Sequence, residues 1–338
     1  MLELIAHEGL RFSFPEIHSD ARCTIKFQRT LRIPDDNRSY PLPPGFREFP
    51  LEHVEDHAAS LPKEWIQHGG VLLPIRQAEA LWLNFSAGLY NSCPLAIKIA
   101  TGKINAISGG AWTEALSDDP QDYLVIPTQP WLDGFCVGEG YIRQFVAMPL
   151  GEGYTAEEQL TGGAECGGLQ IIAYPMKRQC YQDLQRHREK EERRRQAEED
   201  NCDIAYSRRG GMGLAAGGLM KQKVYEDPYG IDAWDQAVSS RCFVHLLNSE
   251  QWLFATGKQA PDTPITAQEY TKAGLPWFDH YAEGLKSLKG SEILAGLDSV
   301  AAKTIKLGAA PYPSNDPVTP SVVHVIGHNH GAVSDGKW

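Results

Sequence analysis

The hydrophobic and polar pattern of residues 1–33 reads as strands. In ARCTIKFQRTLRI (21–33) small or apolar residues recur at every second position for several steps, the period of a strand with one buried face. PDDNRSYPLPPGFREFP (34–50) follows, with five prolines in seventeen residues. Proline fixes φ and removes a ladder donor, so the run predicts an extended connector over the surface. EHVEDHAASLPKEWIQHGG (52–70) predicts short helices stopped by Pro62 and by Gly69-Gly70, and GVLLPIRQAEALWLNFSA (70–87) is bulky enough for core. PLAIKIATGKINAIS (94–108) predicts a hairpin about Thr101-Gly102-Lys103. YIRQFVAMPL (141–150) predicts a strand between two copies of GEGY, at 138–141 and 151–154. Thr155 with Glu158 fits a capping box, and the glycine pairs of TGGAECGGLQIIAYPMK (161–177) bracket a loop leading to a buried strand over Leu169–Tyr174.

The pattern changes after residue 176. Residues 178–200 predict a charged helix whose opposite charges pair at i,i+4, as in Glu189 with Arg193 and Arg188 with Glu192, with no apolar face after Leu184. The glycine-rich SRRGGMGLAAGGLM (207–220) predicts a mobile linker. AWDQAVSSRCFVHLLNSEQWLFATG (233–257), a second capping box at Thr266 and Glu269, WFDHYAEGLKSL (277–288) and SEILAGLDSVAAKTIKL (291–307) all read as helical. The expected architecture is therefore α+β. A sheet-rich lobe (1–176) is joined by a charged helix and Gly-rich linker (177–210) to a mainly helical lobe (211–307), and an extended Pro-rich tail (308–338) ends in a strand or hairpin.

One internal echo crosses this division. ATGK, Gln121-Asp122-Tyr123 and PWLDGF (130–135) recur in order as ATGK (255–258), Gln268-Glu269-Tyr270 and PWFDHY (276–281). The Pro-Trp-apolar-Asp words predict packing corners in which the tryptophan is buried and the aspartate caps backbone donors.

Composition narrows the setting. The most apolar stretch, Leu81–Ala100, is broken by Asn84, Asn91, Pro94 and Lys98, so it does not fit a membrane span, and MLELIAHEG lacks the basic flank of a secretory signal. Seven cysteines stand singly without a CxxC pair, which fits free thiols in a reducing, cytoplasmic compartment. The net charge of −11 is uneven: between Thr113 and Gln170 ten acids face one base, whereas from Lys177 to Arg195 eight bases face four acids. Such blocks predict attraction within a chain or across subunits, hence a homo-oligomer or a protein partner with a basic surface. The acidic balance argues against nucleic acid.

No complete catalytic motif is present. Neither ATGK has the glycine and hydroxyl spacing of a phosphate loop, and no Gly-x-Ser-x-Gly elbow occurs. Cys166, beside Glu165 in a glycine-bracketed loop, is the candidate reactive thiol, with no histidine near it in sequence. The terminal SVVHVIGHNHGAVSDGKW (321–338) offers a metal site. On a regular strand His328 and His330 lie about 6.6 Å apart on one face, with His324 about 13 Å away on the same face. Together they predict a divalent transition-metal site, zinc for example, completed by His245, His280 or Asp279. Read as strand, turn, strand, the same segment is a hairpin with the two histidines at its tip. Three functions follow. The first is a non-catalytic binding or self-assembling protein that uses its charged blocks and tail. The second is a metal-dependent enzyme with a C-terminal histidine site. The third is a small-molecule pocket between the lobes, lined by Trp131, Trp277 and nearby tyrosines.

Overall fold

The hairpin at residue 102 shows how local sequence sets the larger architecture. Gly102 and Lys103 both take positive φ (53° and 62°), the two-residue turn whose twist matches flanking antiparallel strands. It reverses a seven-residue strand that is buried throughout, and that strand becomes a centre of one of two large sheets. The computed structural model of the protein describes residues 1–36, 38–88, 92–196, 214–280 and 285–326.

Among these residues the first sheet has ten strands: β1 (Leu2–Ile5), β2 (Gly9–Ser13), β3 (Arg22–Thr30), β4 (Ser39–Tyr40), β5 (Gly45–Glu48), β8 (Ala80–Ser86), β12 (Trp131–Leu132), β13 (Gly134–Gly138), β14 (Tyr141–Val146) and β16 (Ala215–Lys221). Its path is β1-β2-β3-β8-β14-β16-β4, with β5, β12 and β13 pairing off β3, β8 and β14; only the β16–β4 pair is parallel. The second sheet has seven: β6 (Glu52–His53), β7 (Val71–Pro74), β9 (Leu95–Thr101), β10 (Ile104–Asn105), β11 (Leu124–Ile126), β15 (Leu169–Pro175) and β17 (Ser240–Leu247). Its path is β10-β9-β15-β17-β7-β6, with β11 on β9. A third pair, β18 (Trp277–His280) with β19 (Val323–Ile326), is parallel. The helices are α1 (Lys63–His68), α2 (Ala156–Thr161), α3 (Arg178–Gln196), α4 (Ser249–Thr256), α5 (Ala267–Lys272), α6 (Glu292–Ala295) and α7 (Val300–Lys306). Buried side chains of both large sheets, such as Phe27 and Leu83 from the first and Ile99 and Ile171 from the second, belong to one contiguous core.

Much of the local reading holds. Both capping boxes form, at Thr155/Glu158 and Thr266/Glu269, and the charged helix appears as α3. The mainly helical C-terminal lobe does not. SRCFVHLL (240–247) is strand β17, hydrogen-bonded antiparallel to β15 and parallel to β7. Its Phe243, Val244 and Leu247 suit a pleated surface, and tertiary pairing decides between periods that a short apolar run leaves ambiguous. WFDH (277–280) is likewise a strand, and the helices of this region span only four to eight residues each. The glycine-rich run also hides a strand. Gly218 lies in β16, where a Cβ would meet Pro34 O at 2.3 Å, so its missing side chain permits close backbone approach. Strands from either side of residues 177–210 thus share both large sheets.

Several acids of the 113–170 block find partners within the chain. Asp122 pairs with Lys98, Glu114 with Arg241, and Glu158 accepts from Gly151 and Gly153 backbone amides. The two ATGK words sit in unlike structures, the first at the end of β9 and the second at the C-terminal end of α4. Cys23, Cys93, Cys136 and Cys242 are buried free thiols, and Cys166 and Cys180 are half-buried ones. No helix among the described residues is long and apolar enough to cross a membrane.

Candidate ligand cavities

Gln129 holds the first cavity together. It is 2 % exposed; its Nε2 donates to Trp131 O (2.9 Å) and Lys223 O (3.2 Å), and its Oε1 accepts from Tyr225 N (3.1 Å). One buried amide therefore ties the β12 segment to the chain leaving β16. The turn between β13 and β14 supplies Glu139 and Gly140, the start of β14 supplies Tyr141, and Gly140 O accepts from Gln222 N at 3.1 Å. β18 closes the remaining side, held by reciprocal backbone bonds between Leu42 and Phe278 (2.7 and 2.9 Å). The result is a cavity of about 300 Å³ that Trp131, Asp279 and His280 all line.

Its chemistry is polar around an aromatic wall. The His280 ring meets Trp131 edge-on at 4.7 Å, and Trp131 meets Trp82 in the same manner at 6.1 Å. Burial lowers the His280 pKa, favouring the neutral imidazole, and its Nδ1 has no hydrogen-bond partner. Gln222, 7 % exposed, uses Oε1 to accept from Asp133 N at 3.0 Å and leaves Nε2 unpartnered. Behind it Asp133 is 4 % exposed, with Oδ1 unpartnered. Burial raises that carboxyl well above the ordinary aspartate range, so it favours the protonated form. Asp133 does not cap backbone donors as its Pro-Trp motif predicts; it stands buried and unpaired beside Gln222. Lys221 and Lys223 balance Glu139 and Asp279 in charge around the wall.

The second cavity, of about 230 Å³, lies where α2, the 165–168 loop and β17 meet, and both Cys166 and His245 line it. Glu157, 5 % exposed, staples the loop: Oε1 accepts from Glu165 N (3.0 Å) and Cys166 N (2.8 Å), and Oε2 from Gly167 N (2.7 Å). Burial raises the Cys166 pKa, opposed by Lys103, so the thiol stays protonated rather than activated. His245 is sandwiched between Trp65 (4.5 Å) and Phe243 (4.3 Å), and burial pushes its pKa down to about 4. Its Nε2 lies 3.0 Å from Gly69 O. A carbonyl only accepts, so Nε2 carries the proton and Nδ1 is left as a bare acceptor.

The candidates read from sequence thus divide. Trp131, Asp279 and His280 meet at one cavity, and Cys166 and His245 at the other. Trp277 is fully buried, its Nε1 donating to Thr271 Oγ1 at 3.2 Å, and belongs to the core beside Tyr40 and Tyr270. His324 is exposed on β19 opposite Phe278. His328 and His330 lie outside the described residues. No group of three or more His, Cys, Asp or Glu side chains suited to a metal ion occurs among the described residues. Gln129, Gln222 and, beyond its place in the hairpin, Thr101 were not legible as cavity residues, for each is a single polar residue whose role depends on partners distant in the chain. Comparison with known proteins finds no matching family model, no similar curated protein and no similar solved structure.

Proposed function

We propose that the chain is a non-catalytic binding protein whose cavity between Trp131 and Asp279–His280 takes a small polar molecule. The carrying observation is that Gln222 and His280 line that cavity and that each keeps a buried nitrogen, Nε2 and Nδ1, without a hydrogen-bond partner. Leaving such a group unsatisfied costs about 1–3 kcal/mol, which a ligand that supplies the missing partners would recover. The aromatic wall and the balanced charges favour a ligand rich in both donors and acceptors. The free thiols fit a cytoplasmic setting.

The test is a calorimetric screen of glucose, galactose, glutamine, arginine and inorganic phosphate at millimolar concentration against the native protein, Trp131→Ala and Gln222→Leu. At least one compound is expected to bind natively and to lose about tenfold in affinity in each variant, equivalent to ~1.4 kcal/mol. Binding that both variants retain in full would place the ligand elsewhere.

Self-assembly has its own supporting observation. β19 has no partner on its outer edge among the described residues, and Val323 and Val325 on it are 41 % and 51 % exposed. A second copy or a partner with a basic surface is the expected neighbour. Sedimentation velocity at micromolar concentration should then show species heavier than one chain, weakening with salt. A salt-insensitive monomer would remove this reading and leave ligand binding untouched.

A further inference from the structure

We propose that the second cavity is a separate binding site for a small, largely apolar molecule carrying one hydroxyl or N–H group, of which phenol is the simplest example. Its walls are apolar over Trp65, Met148, Leu150, Phe243 and Leu246. Thr155, Glu157, Cys166 and Gln251 also line it, and two further polar residues keep unused hydrogen-bonding capacity. Thr101, 4 % exposed, has a buried hydroxyl with no hydrogen-bond partner. His245, 1 % exposed, has spent its only N–H on Gly69 O and offers Nδ1 as an acceptor.

These groups are complementary to a single hydroxyl. A ligand O–H donates to the imidazole lone pair, and the ligand oxygen accepts from the threonine hydroxyl. An anion is disfavoured, because the Glu157 carboxylate lies on the same wall. Both Glu157 oxygens already accept from loop amides, which leaves the carboxylate little acceptor capacity for a ligand donor. Size sets the remaining limit. An apolar cavity of roughly 150 Å³ admits benzene, whereas drug-sized sites run from roughly 300 Å³ upward. At about 230 Å³ the cavity suits a single ring with a substituent. The site differs in lining and in chemistry from the Trp131 cavity, so each stands or falls alone.

Cys166 on the wall provides a reporter in the native protein. Phenol should slow alkylation of Cys166 by iodoacetamide, read by peptide mass spectrometry, without slowing that of Cys180, which is half-buried elsewhere. Calorimetry should show phenol binding more tightly than toluene. Thr101→Val and His245→Phe should each weaken phenol about five- to tenfold while leaving toluene unchanged, and Thr101→Ser should restore phenol affinity. Trp131→Ala should leave phenol binding intact. Equal affinity for phenol and toluene, or phenol binding without protection of Cys166, would overturn the proposal, as would failure of the native protein to bind phenol at all. The protection measurement needs no variant, so a substitution that fails to fold leaves the decision unaffected.

Discussion

Lys98→Ala is expected to lower the free energy of unfolding by about 3–5 kcal/mol, the usual loss when one partner of a buried ion pair is removed. Lys98 lies in the middle of β9 and is fully buried. Its Nζ lies 2.6 Å from Asp122 Oδ2, 2.9 Å from Thr113 Oγ1 and 2.6 Å from Ala115 O, so each of its three N–H groups has an acceptor. The Trp112 ring stands 5.8 Å from the ammonium. Asp122, 7 % exposed, spends its other oxygen on Ser117 N at 2.9 Å. Truncating the lysine leaves that carboxylate buried and opposed by no charge. The double variant Lys98→Met, Asp122→Asn should recover part of the loss, because it buries no charge at all. Urea unfolding of the three proteins checks this, with the midpoint shift read at unchanged slope. A loss below about 1 kcal/mol for Lys98→Ala would mean that water reaches Asp122 and that the pair behaves like a surface bridge.

Lys98 also shows how far the sequence reaches. It was legible as the charge that breaks the apolar stretch before Ala100, and no more. Its partner lies twenty-four positions on, across β10 and the loop that follows, and neither periodicity nor spacing identifies it. Features whose causes are local read correctly. The Thr155/Glu158 box needs only four residues, and the Gly102-Lys103 turn needs only a backbone free to take positive φ. Features set by tertiary pairing read poorly. SRCFVHLL became a strand because β15 and β7 offer it two hydrogen-bonding edges. The second half of the glycine-rich run became β16 because β14 and β4 do the same. The cavities follow this rule: Cys166 had no neighbouring histidine in sequence, and β17 brings His245 to its cavity from seventy-nine residues away.

His245 carries the largest expected pH effect. Its folded pKa, about 4, lies below the ordinary histidine value of 6.5 because burial between Trp65 and Phe243 disfavours the imidazolium, with His68 adding repulsion. Above pH 6.5 the ring is neutral in folded and unfolded chains alike, and it contributes no pH dependence. As pH falls from 6.5 towards 4 the unfolded chain takes up a proton that the folded chain refuses, so stability falls with pH throughout that window. At ~1.36 kcal/mol per pH unit the loss reaches roughly 3 kcal/mol by the lower end. His245→Phe keeps the ring stack and removes the titration, while giving up the bond to Gly69 O, worth about 1 kcal/mol. The native protein should therefore be the more stable of the two near pH ~7.5, and the order should reverse by pH ~5. Other titrating groups act equally in both proteins, so the difference between two urea series isolates this one ring; a gap that stays constant across the range would contradict the assignment. The same window governs the proposed phenol site. Nδ1 accepts a hydrogen bond only while the ring is neutral, so phenol affinity should persist well below pH 6.5, where an exposed histidine would already have lost its lone pair to a proton.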